Sequence, residues 1–290
     1  MSKEKNIVAS VKGQLLQIAR TEGKNHQLLL LRYFQERFLF RLSQSSYNQH
    51  FCLKGAAFLY ALEGERSRAT KDIDFLGMDI QSTHESLSRT IIKICEREHE
   101  EDGVTFDLES LSIEDIVKDG NYKGVRIGIT AHLDRTKQRL QIDIGFGDTV
   151  VPAPVEMTYP VILEMGAPVL LAYSIESTIA EKFEAMIDLA EINTRMKDFY
   201  DVYHLLKNHL VDAEVLEQAI QQTFERRGTP APEDHSLFKP AFYLNEEINT
   251  RWKAWLRKAK LDMDLEFSMV MGLINSRLMS IYLRLPAAKS

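Results

Sequence analysis

Cysteine is almost absent from this chain. Cys52 and Cys95 are its whole complement, and one widely spaced pair supplies neither a disulfide framework nor a metal-binding pattern. Both read as free thiols, which fits a reducing, cytoplasmic setting. Long apolar runs are lacking too: nowhere do about 18 apolar residues follow one another, so no membrane span is indicated. The first residues, MSKEKNIVASVKGQ, lack the apolar core of a secretory signal. Positive charge is in deficit, with 36 Lys and Arg against 42 Asp and Glu and a net charge of −6. That balance argues against broad nucleic-acid binding, because phosphate contacts come mostly from Lys and Arg. A nucleic-acid contact would need a locally segregated patch. The eight histidines show no ligand spacing.

What is present is an ordinary globular composition, 44% hydrophobic over 290 residues, enough for one large domain or two modest ones. Apolar periodicity predicts helices over 5–22 and 25–43, then a short strand HFCLKG (50–55) running into a glycine turn. AAFLYALEG reads as a helix closed by Gly64, and DIDFLGMDI as a strand. A charged helix over 82–100, a strand over 103–111 and a short helix near 112–118 follow, with a turn at Gly120-Asn121. KGVRIGITAHLD (123–134) and RLQIDIGFG (139–147) alternate as strands do, and the link TKQ predicts a tight hairpin between them. Pro-rich VVPAPVEMTYP leads to a strand at 168–174. Helices are then expected over 175–193, 197–208, 212–226, 245–258 and 264–284, with a Pro-containing loop at 227–240. The organisation is α+β: a mixed sheet with flanking helices over 1–170, followed by an all-helical domain over 171–290.

The chemistry starts at RATKDIDFL. Residues i and i+2 of a strand share a face, so Asp72 and Asp74 project together with Ile73 opposite. Two adjacent carboxylates repel, and a divalent cation is the natural offset. Asp143, in QIDIG, shares a strand face with Gln141 and Gly145; an aspartate among apolar neighbours is unusual without a partner. If the two strands are neighbours, three carboxylates converge. Oxygen-only ligands suit magnesium, or manganese in its place, and phosphoryl or nucleotidyl transfer. Upstream, Lys54-Gly55-Ala56 places a glycine turn before a helix N-terminus, a place where backbone N–H groups cradle phosphate.

This ordered set resembles the polymerase-beta-like nucleotidyltransferase fold. More closely, it resembles the AbiEii/AbiGii-type nucleotidyltransferase toxins of toxin–antitoxin systems. The stretches that carry the resemblance are RFLFRLSQSSYNQHFCLKGAAFLYAL, RATKDIDF, QIDIGFGD and EKFEAMIDLAEINTRMKDFYDVYHLL, roughly residues 35–206. One departure is plain: many such enzymes carry Gly-Ser at the turn, whereas this chain has Gly55-Ala56. The resemblance implies metal ligation by Asp72, Asp74 and Asp143, a nucleoside triphosphate held at Gly55 and Lys182, and an active site completed by Asp198 or Asp201. Arg195 and Lys197 are further phosphate candidates. It also implies a cognate antitoxin and transfer of a nucleotide to an acceptor hydroxyl at the 3′ end of tRNA or another RNA. On the residues alone, an interhelical salt bridge is the lesser reading of Lys182 with Asp198 or Asp201. Asp148 reads as a turn former, and Asp102, Glu109, Glu114 and Asp115 as a solvated set. In RWKAWLRKAK, Arg251, Lys253, Arg257, Lys258 and Lys260 are either a solvated helix face or an RNA-backbone patch. Two rival functions stay open: an antibiotic-type small-molecule nucleotidyltransferase, which shares the carboxylate logic, and a catalytically silent nucleotide-binding protein that keeps the fold.

Overall fold

The computed structural model describes residues 3–64, 67–68, 70–97, 99, 101–118, 122–190 and 195–286. By their internal contacts the residues divide into two compact units, 1–147 with 155–172, and 148–154 with 173–290.

Unit 1 is a mixed sheet with helices. Helix α1 (Lys3–Thr21) is followed by α2 (His26–Ser43), whose N-terminus is capped by Asn25 accepting from the Leu28 N–H at 3.1 Å. Strand β1 (Phe51–Lys54) turns at Gly55 into α3 (Gly55–Glu63), which Gly64 closes. Strand β2 (Asp72–Gly77) leads to α4 (His84–Cys95), capped by Thr83. Strands β3 (Thr105–Lys118), β4 (Tyr122–Leu133) and β5 (Thr136–Phe146) form a meander, and β6 (Val155–Thr158) and β7 (Val169–Ala172) complete the sheet. Among the described residues the order is β3-β4-β5-β2-β1-β7-β6. β2 runs parallel to β5, and β1 parallel to β7; the other pairs are antiparallel.

Alternation explains the two faces of the central strands. Ile73, Phe75, Val125, Ile127, Ile142 and Ile144 are buried, while Asp72, Asp74, Arg126 and Asp143 stand at the intervening positions. α2 is nearly enclosed and carries buried charge: Glu36 and Arg37 pair at 2.6 Å with both side chains fully buried. Arg41 binds Asp102 at 2.8 and 3.2 Å. Asp102 is therefore no member of a solvated set. It is fully buried, because a guanidinium from a distant helix satisfies it.

Two local expectations need correction. Residues 112–118 are the second half of β3, not a helix: Ser112 through Lys118 pair in register with Gly128 through Tyr122 after a shift between Asp107 and Ser112. Cross-strand pairing overrides the helical propensity of that charged stretch. The hairpin turn is Asp134-Arg135, with Leu133 opposite Thr136 and Asp134 at φ 55; Thr136, Lys137 and Gln138 already belong to β5. The expected Gly120-Asn121 turn and the end of the 175–193 helix lie outside the described residues.

Unit 2 is helical. α5 (Ile175–Leu189) begins at Ser174, whose hydroxyl accepts from the Ser177 N–H at 2.9 Å. α6 (Met196–Asn208), α7 (Ala213–Arg227), the single turn α8 (Pro240–Tyr243), α9 (Glu246–Ala259) and α10 (Phe267–Tyr282) follow. α5 packs on α6 and α7, and α6 on α9 and α10. Its core includes Phe183, Phe199, Phe224, Trp252, Phe267 and Tyr282, all buried. No described helix is long and apolar enough to cross a membrane.

Candidate active site

The sheet of unit 1 lines up a row of charges. Glu114 on β3 stands opposite Arg126 on β4, Arg126 opposite Asp143 on β5, Asp143 beside Asp74 on β2, and Asp74 opposite Lys54 on β1. Directly paired residues share a face, so five neighbouring strands present one row with signs −, +, −, −, +. Asp72 lies one step along, opposite Gln141. Asp143 is enclosed, with 4% of its side chain exposed. Arg126 grips it in a fork: Nε donates to Oδ1 at 2.9 Å and Nη2 to Oδ2 at 3.0 Å. Gln141 Nε2 donates to Oδ1 at 3.4 Å. The hydrogen bonds to Asp143 raise the pKa of Arg126 above its ordinary value, burial opposes them, and the charges of Asp143, Asp72 and Glu114 reinforce them.

Gly55 is required where it stands. Its φ is +64, and a Cβ there would lie 2.9 Å from both Cβ and Cγ of Asp74. Only glycine lets the turn before α3 approach the Asp-x-Asp strand so closely. Lys54 is the N-cap residue of α3 without a side-chain cap bond, and Ala56 is buried. The first N–H groups of α3 thus begin beside Asp74.

In unit 2, Lys182 of α5 meets two carboxylates of α6: Nζ lies 2.7 Å from Asp198 Oδ1 and 2.8 Å from Asp201 Oδ2. Arg195 Nε donates to Asp198 Oδ2 at 2.6 Å. Asp198 is fully buried. Burial pushes its carboxyl up, but Lys182, Arg195 and Lys197 together pull it well below the usual carboxylate range. The spacing of Asp198 and Asp201, one helical turn apart, puts both on the face that Lys182 reaches.

The sequence reading missed Arg126 and a second cluster in unit 2. Arg227 at the end of α7 lies 2.6 Å from Glu184, 3.4 Å from Asp148 and 3.7 Å from Glu181. Thr229 donates its hydroxyl to Glu184. Asp148 is thus a buried ion-pair partner rather than an ordinary turn former. Burial raises the Glu184 carboxyl above its ordinary value against the pull of Arg227. Two basic residues of α9 have acidic partners: Arg251 pairs with Glu247 and Lys253 with Glu266, each at 3.3 Å.

Among the described residues, no three His, Cys, Asp or Glu side chains are grouped so as to hold a metal ion by themselves. Magnesium, however, is usually held by one or two carboxylates together with substrate phosphates and water. Asp72 and Asp74, on one strand face beside a helix N-terminus, fit that demand chemically.

A glycine turn is pressed against the Asp-x-Asp strand, with a third aspartate in register on the parallel neighbour, the ordered set on which the resemblance to nucleotidyltransferases rests. The family model described as "Nucleotidyl transferase AbiEii toxin, Type IV TA system" matches residues 37–271, and the chain belongs to that family. Membership makes it a nucleotidyltransferase-type toxin and implies an antitoxin counterpart and a nucleotide substrate. Among solved structures, JHP933 from Helicobacter pylori is 17% identical, with 90% of this chain and 94% of that chain covered at a TM-score of 0.50, a likeness of fold. A second H. pylori protein, described as a candidate nucleotidyltransferase, is 18% identical over 90% of this chain and 97% of that chain, with a TM-score of 0.47. An antigenic nucleotidyltransferase-like protein from Paracoccidioides brasiliensis is 14% identical over 66% and 88%, with a TM-score of 0.37. No curated protein matches.

Proposed function

We propose that this protein transfers a nucleoside monophosphate from a nucleoside triphosphate to an acceptor hydroxyl, with the 3′ end of tRNA as the acceptor. The observation that carries the reading is the charge row of unit 1 with Gly55 packed on Asp74. Asp72 and Asp74 would hold magnesium together with the triphosphate, and the ion would neutralise charge on the phosphates. The N–H groups opening α3 face the same region and suit phosphate oxygens without help from a hydroxyl at position 56. Lys54, opposite Asp74, adds positive charge. Asp143 orients the acceptor hydroxyl and takes its proton as the oxygen attacks the α-phosphate and pyrophosphate leaves. Both Asp143 oxygens are engaged by Arg126, so this role requires Arg126 to yield. Lys182 already has two carboxylate partners. Arg195 is engaged with Asp198, and Lys197 acts on the same carboxylate. The chemistry otherwise rests on positioning and charge.

The test is incubation with each labelled nucleoside triphosphate, magnesium and total tRNA. Label should enter RNA with the wild type and not with Asp72→Asn. Label entering a small-molecule acceptor instead would favour the antibiotic-type enzyme, and label staying in free nucleotide under all conditions would leave a silent nucleotide-binding protein.

A further inference from the structure

Arg126 stands between two acidic residues. On one side it forks onto Asp143, and on the other its register partner is Glu114. Asp143 is enclosed, whereas 38% of the Arg126 side chain is exposed. The guanidinium therefore sits at the rim of the pair, where it can swing away without being buried unpaired. Asp143 itself stands beside Asp74, which Lys54 faces from the other side, and a nearby cation offsets the repulsion between adjacent carboxylates. Arg126 supplies that charge from the outside edge. The electrostatic pull of Asp72 and Glu114 on the same guanidinium gives it other carboxylates to move toward.

The geometry points to Arg126 as a resident counter-ion of the carboxylate pair, one that holds Asp143 until a divalent cation binds beside Asp74 and then passes to Glu114. The inference rests on the metal-dependent reading of the site and adds a residue to it. Arg126 acts through Asp143 and is a positioning residue. Its release opens the fork on Asp143, whose Oδ1 also accepts from Gln141, so the third carboxylate turns to the cation only when the cation has arrived.

The probe is Mn2+ alone, titrated into the full-length protein and followed by calorimetry and by the electron paramagnetic resonance of the free ion. Arg126→Gln removes a competing positive charge and should bind Mn2+ about tenfold more tightly, the scale on which a neighbouring charge shifts proton affinity. Arg126→Lys keeps the charge but loses the fork; it should tighten binding by a smaller factor and serves where the Gln variant does not fold. Glu114→Gln removes the second partner, keeps Arg126 on Asp143 and should weaken Mn2+ binding. In an Asp143→Asn background, Arg126→Gln should change affinity little. Unchanged or weaker binding in both Arg126 variants overturns the inference, as does an equal gain in the Asp143→Asn background, or no Mn2+ binding by any variant. Tightening by Arg126→Gln in a protein that transfers no nucleotide supports the counter-ion and overturns the transferase reading. Transfer by the wild type with unaltered Mn2+ affinity in both Arg126 variants does the reverse.

Discussion

The charge row of unit 1 and the Lys182 cluster of unit 2 are built in opposite ways. In unit 1 the charges lie in a row across neighbouring strands, partly exposed, with two carboxylates adjacent and the cations at either side. In unit 2, Lys182 is locked between Asp198 and Asp201, and Arg195 closes on Asp198 from its own helix. Strands hold like charges side by side because register dictates who faces whom, whatever the sign. Two acids one turn apart on a helix let a lysine from the neighbouring helix reach between them and satisfy both. The first arrangement leaves two like charges adjacent; the second sets a lysine and an arginine against its acids. Removing a charge should therefore cost stability in the Lys182 cluster and activity in the strand row.

The largest effect that would break this contrast is at Asp198. Asp198→Ala leaves Lys182 and Arg195 short of a buried partner and should cost about 3–5 kcal/mol, seen as a clear fall in the melting temperature of the full chain. A variant melting within about 2 °C of the wild type would erase the difference between the units. Asp74→Asn should do the opposite. Incorporation of labelled nucleotide falls about 10²-fold or more, while melting stays level or rises because one of two adjacent like charges is gone. Gly55→Ala joins the two effects: the φ of +64 and the collision with Asp74 should cost about 1–3 kcal/mol, and transfer should fall with stability.

Acid and base sharpen the comparison further. Burial pushes Glu36 of unit 1 up to about 7, against the pull of Arg37 and its hydrogen bonds. The folded chain then holds that proton more tightly than the unfolded one, so this contribution to stability is greatest below about pH 4.5 and declines as pH rises through about 7. Asp198 has the opposite sign. Its folded carboxyl titrates below its ordinary value, so its contribution is present above the ordinary carboxylate range and is lost on acidification. Melting followed against pH should lose the decline toward neutrality in Glu36→Gln and lose part of the acid sensitivity in Asp198→Asn. The smallest expected effect is at Lys253, half exposed and paired with an equally exposed Glu266. Lys253→Ala should shift stability by less than about 0.5 kcal/mol and leave transfer to tRNA unaltered. Arg251 and Lys253 each have an acidic partner, Glu247 and Glu266, so neither stands as a lone cation.

The α+β organisation, the helix-forming second half and the Asp-x-Asp face were legible because each depends on local period. Arg126 was hidden by a turn. A three-residue turn at Thr136-Lys137-Gln138 sets Asp143 opposite Ala131, whereas the observed Asp134-Arg135 turn sets it opposite Arg126. A slip of a few residues at the hairpin moved the partner of the key carboxylate out of sight. Val125-Arg126-Ile127 did carry the signal, since alternation puts Arg126 on the polar face. Asp102 and Asp148 defeated local reading for another reason. Their partners, Arg41 and Arg227, come from 61 and 79 residues away, and nothing in their own neighbourhoods announces them.

The path of the chain has a practical consequence. It leaves unit 1 after residue 147, contributes 148–154 to unit 2, and returns to add β6 and β7 before departing again. A fragment ending at 147 would retain every carboxylate of the row yet leave β1 as a bare sheet margin, open to pairing with other chains. Its Glu36 and Arg37 would lack the Ile162 N–H and Gly166 carbonyl that they bind. The smallest piece worth expressing alone has to splice across the excursion rather than stop before it.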